Sequence, residues 1–199
     1  MPDGILIIDK PTGWTSMDVC AKLRGILREK RIGHAGTLDP MATGVLPVFV
    51  GRATKAVQFA ENGRKEYHAV LKLGMVTDTQ DTTGTVLETH PVTVGADEVR
   101  AALEHFTGEL LQLPPMYSAL KVNGQKLCDL ARRGIEVERR PRPATISRLE
   151  LVSFDGTDGV IDVDCSGGTY IRTLINDIGE SLGTGAVMTS LCRTRSCGF

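Results

Sequence analysis

The sequence lacks several features that would place the protein in common classes. It has no apolar run of about 18 residues, so no membrane span is expected. Residues Met1 to Gly4 show no charged region followed by an apolar one, so no secretory signal is expected. The five cysteines are an odd number without regular spacing, which argues against a disulfide framework and a Cys-x-x-Cys metal site. These absences indicate a cytoplasmic protein.

Motifs for metals and nucleotide cofactors are also missing. The four histidines, His34, His68, His90 and His105, are scattered, and no pair has the spacing of ligands on one helix. No glycine-rich loop followed by Lys-Ser or Lys-Thr occurs, so the sequence offers no phosphate-binding loop. We therefore predict neither a metal nor a cofactor.

The net charge is small, but it is unevenly distributed. A formal charge of −1 and a pI of about 6.4 are unlike the basic balance of most nucleic-acid-binding domains. Residues 119 to 148, however, hold eight Lys or Arg against three Asp or Glu. A basic surface that grips phosphates is compatible with this segment, and so is an ordinary solvated surface with no partner. Composition alone favours neither.

The apolar patterns predict an α+β fold. A chain of 199 residues with 41% hydrophobic residues can bury a core as one domain, or as one domain with a small insertion. Apolar or alternating runs predict strands near residues 4–11, 65–73, 84–88, 148–154 and 160–165. Helical spacing predicts helices from Ser16, as N-cap, to about Lys30, and over 52–59, 96–106, 126–133 and 169–182.

One stretch stands out as a candidate site. It reads Gly33-His34-Ala35-Gly36-Thr37-Leu38-Asp39-Pro40-Met41-Ala42-Thr43-Gly44-Val45-Leu46-Pro47. Pro40 disfavours a helical conformation at Asp39, and an apolar run that predicts a buried strand follows the loop. A single carboxylate is therefore displayed on a stiff loop, which suits a catalytic group. A turn in which Asp39 accepts hydrogen bonds from local amides is an equal alternative on physical grounds.

Motifs along the whole chain resemble those of one enzyme family. The Gly-Thr-Leu-Asp-Pro-x-Ala-Thr-Gly core with a preceding histidine resembles the uridine-binding motif of the TruB-type tRNA pseudouridine synthases, which make pseudouridine 55 in the T-loop. Further strings match at residues 8–16, 117–124, 130–134, 165–172 and 191–199. Cys192 and Cys128 depart from the family pattern, which usually has arginine and an aromatic residue there. The family usually continues into a small C-terminal PUA-type RNA-binding domain, which this sequence does not contain, so we expect residues 1–199 to be the catalytic domain.

The resemblance implies roles for individual residues. Asp39 would be the catalytic carboxylate, Arg172 its ion-pair partner, and Tyr67 the ring that stacks on the target uracil. His34 would help to hold the flipped-out T-loop, Tyr170 would lie beside the base, and Leu191 would form an apolar wall. Basic residues near the site, among them Lys121, Arg132 and Arg142, would contact the RNA backbone.

The resemblance also implies a reaction and a fold. The target uridine would flip out of its stack, its C1′–N1 bond would break, and the base would rejoin through C5. Asp39 would act as nucleophile or stabilise charge at C1′, while Tyr67 is a candidate for removing the C5 proton. The implied fold is a mixed, largely antiparallel sheet flanked by helices around a central catalytic cleft, acting on the tRNA T-arm as a monomer. A non-catalytic RNA-binding module and a guide-RNA-dependent synthase subunit are the alternatives.

Overall fold

The computed structural model describes residues 3–199. The strands are β1 (Gly4–Lys10), β2 (Ile32–His34), β3 (Thr43–Val50), β4 (Lys65–Leu73), β5 (Met75–Thr77), β6 (Val86–Thr89), β7 (Gly108–Gln112), β8 (Lys121–Val122), β9 (Gln125–Lys126), β10 (Arg142–Phe154), β11 (Asp158–Cys165) and β12 (Ala186–Ser196). The helices are α1 (Ser16–Leu27), α2 (Val57–Ala60), α3 (Ala96–His105), α4 (Leu127–Ala131) and α5 (Ile171–Ser181), and a 3₁₀ helix (Gly51–Ala56) precedes α2.

The chain divides into two compact units. The first unit comprises Met1–Ala69, Asp162–Gly168 and Ser190–Phe199, and the second comprises Val70–Ile161 and Thr169–Thr189. Strands β4, β11 and β12 each contribute residues to both units. The sheet is mixed and mostly antiparallel, which confirms the predicted α+β class. Within residues 3–199, no helix is both long enough and apolar enough to cross a bilayer.

In the first unit, strand β3 pairs with three other strands. Strands β1 and β2 pair with it antiparallel, with Gly4 opposite Val50 and His34 opposite Val48. Strand β12 pairs with it in parallel, with Arg193 opposite Gly44. From Leu46 onward β3 is buried on both faces, as its continuous apolar sequence predicts. The segment between β2 and β3 is the loop that carries Asp39.

In the second unit, α5 supplies the buried helix face. Ile171, Leu174, Ile175 and Ile178 are at most 4% exposed, and they recur at the spacing of one helix face. Strand β10 pairs antiparallel with β7, with Arg142 opposite Gln112. Two short hairpins, β5–β6 and β8–β9, complete this unit.

Several predicted boundaries were wrong for local reasons. Thr15, not Ser16, caps α1, because the Thr15 hydroxyl accepts from the Asp18 amide at 3.0 Å and the Asp18 carboxylate accepts from the Thr15 amide. That reciprocal pair is a capping box. Helix α1 ends at Leu27 because Arg28 adopts a left-handed conformation, with φ of 51°.

Two other elements begin elsewhere than predicted. Helix α5 starts at Ile171 rather than Thr169, because Tyr170 has an extended backbone and its amide donates to the Gln112 side chain at 3.0 Å. Strand β10 starts at Arg142 rather than Arg148, because its first five residues pair with β7. The segment predicted as a helix over 52–59 is divided between the 3₁₀ helix and α2.

Candidate functional site

The Asp39 loop is fixed to its surroundings in the first unit. The Ser16 hydroxyl accepts from the Leu38 amide at 2.9 Å and lies 3.2 Å from the Leu38 carbonyl oxygen. The Gly13 amide donates to the Pro40 carbonyl at 2.8 Å. Asp39 itself is half-buried, and its backbone carbonyl accepts from the Ala42 amide at 3.0 Å. Hydrogen bonds therefore hold both residues that flank Asp39 in the loop, Leu38 and Pro40.

A buried lysine supports the same loop. Lys10 is fully buried, and its ammonium donates to the carbonyls of Pro11 at 2.9 Å, Trp14 at 2.6 Å and Pro40 at 3.4 Å. Burial lowers the pKa of Lys10, and the charge of Asp39 opposes that fall. These contacts give the lysine of the Ile-Asp-Lys-Pro string a defined role in holding Pro40.

Tyr67 and Leu191, both predicted to contact the target base, lie in the first unit. Each is 7% exposed, Tyr67 on β4 and Leu191 on β12. Burial raises the pKa of Tyr67 to about 12, although the nearby Arg193 guanidinium opposes the rise. The hydroxyl is therefore protonated at neutral pH and can donate a hydrogen bond, while the ring can stack. Its predicted role as the acceptor of the C5 proton stays a prediction, and burial works against it because the phenolate is disfavoured.

His34 lies on β2 rather than on the loop. It is half-buried, and its Nδ1 atom is buried without a hydrogen-bond partner among residues 3–199. Burial lowers the pKa of His34, and the charge of Arg193 lowers it further. A neutral imidazole at physiological pH follows. Such a ring can contact a nucleotide by packing or hydrogen bonding without carrying a charge.

In the second unit, Arg172 lies in the first turn of α5 and is 4% exposed. Its guanidinium donates to the carbonyls of Thr79 at 2.8 Å and Tyr117 at 2.9 Å, and its Nε lies 3.8 Å from an Asp81 carboxylate oxygen. Asp81 is therefore a carboxylate partner of Arg172. The pairing of Arg172 with Asp39 stays a prediction.

The sequence did not single out Asp81 as a candidate residue. It is 5% exposed, and its carboxylate accepts from the Thr79 hydroxyl at 2.8 Å and from the Thr83 amide at 2.9 Å. These bonds fix the carboxylate facing Arg172. The run of alternating Thr and Asp was the available signal, since such residues bond to their own backbone.

Tyr170 is positioned by a second residue that the sequence did not single out. The Gln112 side chain is 2% exposed; its amide donates to the Tyr170 carbonyl at 3.1 Å, and its oxygen accepts from the Tyr170 amide at 3.0 Å. This pair of bonds holds Tyr170 extended at the start of α5. It therefore also sets where Arg172, two residues later, enters the helix.

The three residues predicted to contact the RNA backbone are exposed in the second unit. Lys121 lies on the β8–β9 hairpin, Arg142 opens β10, and Arg132 follows α4 and pairs with Asp129 at 3.3 Å. Their exposure is compatible with phosphate binding, and binding itself stays a prediction. Among residues 3–199, no group of three or more His, Cys, Asp or Glu side chains could hold a metal ion.

Comparison with known proteins gives a consistent family. Residues 24–171 match the family model described as TruB family pseudouridylate synthase (N terminal domain). The chain is 52% identical over 196 residues to a protein named tRNA pseudouridine synthase B from Pseudomonas syringae, covering 98% of this chain and 64% of that protein. It is 51% identical to a protein of the same name from Clostridium acetobutylicum, covering 99% of this chain and 68% of that protein.

Solved structures agree. The chain is similar to a chain in the structure titled Cbf5-Nop10-Gar1 complex, with a TM-score of 0.75 and 36% identity over 97% of this chain and 48% of that chain. A structure titled H/ACA RNP bound to a substrate RNA containing 2′-deoxyuridine gives a TM-score of 0.72 and 32% identity over 98% of this chain and 47% of that chain.

Proposed function

Because the chain belongs to the TruB family of pseudouridylate synthases, we propose that it converts the T-loop uridine of tRNA, position 55, into pseudouridine. The main support for this proposal is sequence identity: about half of the residues are identical to those of proteins named tRNA pseudouridine synthase B, over nearly all of this chain. The chain spans 64% of the length of the first of these. We place the reaction in the cytoplasm and expect a monomer, because no step below needs a second subunit.

Asp39 is the catalytic carboxylate in this proposal. The reaction breaks the C1′–N1 bond, turns the uracil and forms a C1′–C5 bond, after which the C5 proton is lost and N1 gains a proton. A carboxylate can act as the nucleophile or stabilise the electron-poor ribose. A second catalytic carboxylate is unnecessary, because uracil can leave as a delocalised anion. The bonds at Leu38 and Pro40, which fix the loop, support this role.

The base must leave its stack before Asp39 can reach C1′. Tyr67 and Leu191 are buried apolar groups of the kind that receive a flipped base, and Tyr170 is held in place by Gln112. We propose that Arg172 pairs with Asp39 and favours its ionised form. His34, neutral at physiological pH, helps to hold the T-loop, and Lys121, Arg132 and Arg142 bind its phosphates.

The similarity to chains of H/ACA complexes raises the alternative of a synthase that depends on a guide RNA and partner proteins. The identity to the tRNA enzymes, 52% against 36%, favours a protein that acts on tRNA directly. A T-arm RNA without any guide therefore separates the two, since only the direct enzyme should act on it.

The experiment measures tritium release from a T-arm RNA labelled at C5 of uridine, with the parent chain and its Asp39→Asn variant. We expect release by the parent and none by the variant, with equal RNA binding. Binding without release by the parent would favour the non-catalytic RNA-binding module instead. Release by Asp39→Asn at the parent's rate would remove Asp39 from the chemistry.

A further inference from the structure

Arg193 is a fully buried cation next to the Asp39 loop. It lies on β12 in the first unit and is 0% exposed. It forms no ion pair with a carboxylate among residues 3–199, and its Nη1 atom is buried there without a hydrogen-bond partner. A buried charge without an opposite charge is costly, and an apolar side chain of similar volume often replaces it without loss of stability. Packing alone therefore does not account for an arginine at this position.

The guanidinium is fastened to both ends of the loop that carries Asp39. Its Nη2 donates to the Gly36 carbonyl at 3.0 Å, three residues before Asp39, and its Nε donates to the Val45 carbonyl at 2.8 Å, six residues after it. One rigid, planar group thus fixes the distance between the two flanks of the loop. A lysine has the charge but not the fork of donors that such bridging requires.

Two glycines, Gly36 and Gly44, leave room for Arg193 beside the loop. Gly36 has φ of +73°, and a Cβ there would lie 3.2 Å from Arg193 Nη1 and 3.1 Å from the Lys65 side chain. On the far flank, a Cβ at Gly44 would collide with the Arg193 backbone carbonyl. Both glycines allow the loop and β12 to approach more closely than other residues would.

The same guanidinium also acts on Tyr67. Its charge opposes the rise in the pKa of the buried Tyr67 hydroxyl. Arg193 therefore contacts the backbone around the candidate nucleophile and influences the ring proposed to stack on the base. No other described residue is bonded to both flanks of the loop while also influencing Tyr67 in this way.

We propose that Arg193 is a positioning residue that fixes the Asp39 loop for the reaction, with its charge acting on the nearby Tyr67 hydroxyl. This inference rests on the proposed function for its kinetic consequence, while its structural consequence can be tested without any activity. Because a displacement of about 1 Å can cost about 100-fold in rate, we expect a loss of that order in kcat when the guanidinium is removed.

The kinetic experiment compares Arg193→Met, Arg193→Lys and the control Arg195→Met in the tritium-release assay. Arg195 lies on the same strand, is 57% exposed and pairs with Glu66 at 3.3 Å, so its loss removes a surface ion pair of little energetic value. We expect a fall of about 100-fold in kcat for Arg193→Met, a smaller fall for Arg193→Lys, an unchanged KM for both, and the parent's kinetics for Arg195→Met. A normal kcat in Arg193→Met, or a loss confined to KM, would overturn the proposal.

Two measurements on the same proteins need no activity. With 3-fluorotyrosine at the three tyrosines, the ¹⁹F resonance of Tyr67 is identified by its loss in Tyr67→Phe. The chemical shift of this resonance should change in both Arg193 variants and should be the same as in the parent in Arg195→Met. Amide hydrogen exchange of residues 33–47 should quicken in the Arg193 variants alone. If neither changes, the positioning role is wrong.

These readouts separate the two proposals. If the parent releases no tritium, the proposed function fails, and the fluorine and exchange results decide the role of Arg193 by themselves. If Arg193→Met does not fold, Arg193→Lys decides. If Arg193→Lys keeps the kcat, the fluorine resonance and the exchange rate of the parent, the inference is wrong. A partial loss of kcat together with a shifted resonance would support it.

Discussion

Gly44→Ala tests the close approach between the loop-bearing strand β3 and β12. Gly44 has φ of +96°, and a Cβ there would collide with the Arg193 carbonyl oxygen and lie 2.9 Å from the Arg193 amide nitrogen. A left-handed conformation costs an L-residue about 1–2 kcal/mol, and overpacking adds about 1–3 kcal/mol. Because the contacted atoms are backbone, neither strand can relieve the clash by a side-chain rotation. We therefore expect the free energy of unfolding to fall by about 2–5 kcal/mol.

Gly33→Ala is the matched control for this prediction. Gly33 lies on β2, its φ is not in the left-handed region, and a Cβ there would have only a Val57 methyl group nearby, at 4.0 Å. Urea denaturation and thermal denaturation, both followed by circular dichroism, measure the free energy of unfolding and the Tm of the two variants. For a chain of this size the loss in Gly44→Ala corresponds to a fall in Tm of about 4–20 °C, with Gly33→Ala within about 2 °C of the parent. Equal stability of the two variants would refute the close packing described for Gly44.

Three further predictions follow from buried polar groups. Burial raises the pKa of Asp177 to about 6 in the folded chain, and the charge of Glu180 contributes to the rise. The free energy of unfolding is therefore highest below the unfolded pKa of this carboxyl group and falls as the pH rises through about 6. Asp177→Asn removes this pH-dependent loss. Its stability relative to the parent, measured by urea denaturation, should therefore be about 2 kcal/mol higher at pH 8 than at pH 4. Burial lowers the pKa of His34, so parental stability should fall as pH drops below about 6.5, and His34→Gln should show a smaller fall. Gln112→Leu removes both bonds to the Tyr170 backbone, and it should cost about 2–3 kcal/mol of stability and slow tritium release. An unchanged urea midpoint would contradict this.

Local sequence patterns predicted most of the elements, and two of the wrong boundaries lie where a distant residue decides. The alternation in residues 65–73 predicted β4 correctly, because period-two burial is a property of the strand alone. The start of α5 could not be predicted, because the Tyr170 amide is taken by Gln112, 58 residues earlier. The extension of β10 to Arg142 depends likewise on its pairing with β7.

The same distinction applies to the candidate site. Asp39 was singled out as a candidate from its own neighbours, because Pro40 and the surrounding glycines indicate a stiff loop, and the family resemblance implied its catalytic role. The supporting cations leave no such signal. Lys10 and Arg193 lie 30 residues from Pro40 and 157 residues from Gly36, the partners to which they donate. Charged residues in a strand normally face solvent, so only the folded chain identifies them as buried.

Locating the product in a whole tRNA tests the central claim most directly. An unmodified tRNA transcript is incubated with the parent chain or with Asp39→Asn, treated with a carbodiimide that marks pseudouridine, and read by reverse transcription. We predict one new stop, at the T-loop uridine, that requires Asp39. A transcript with no stop, a stop at another uridine, or the same stop with Asp39→Asn would contradict the account.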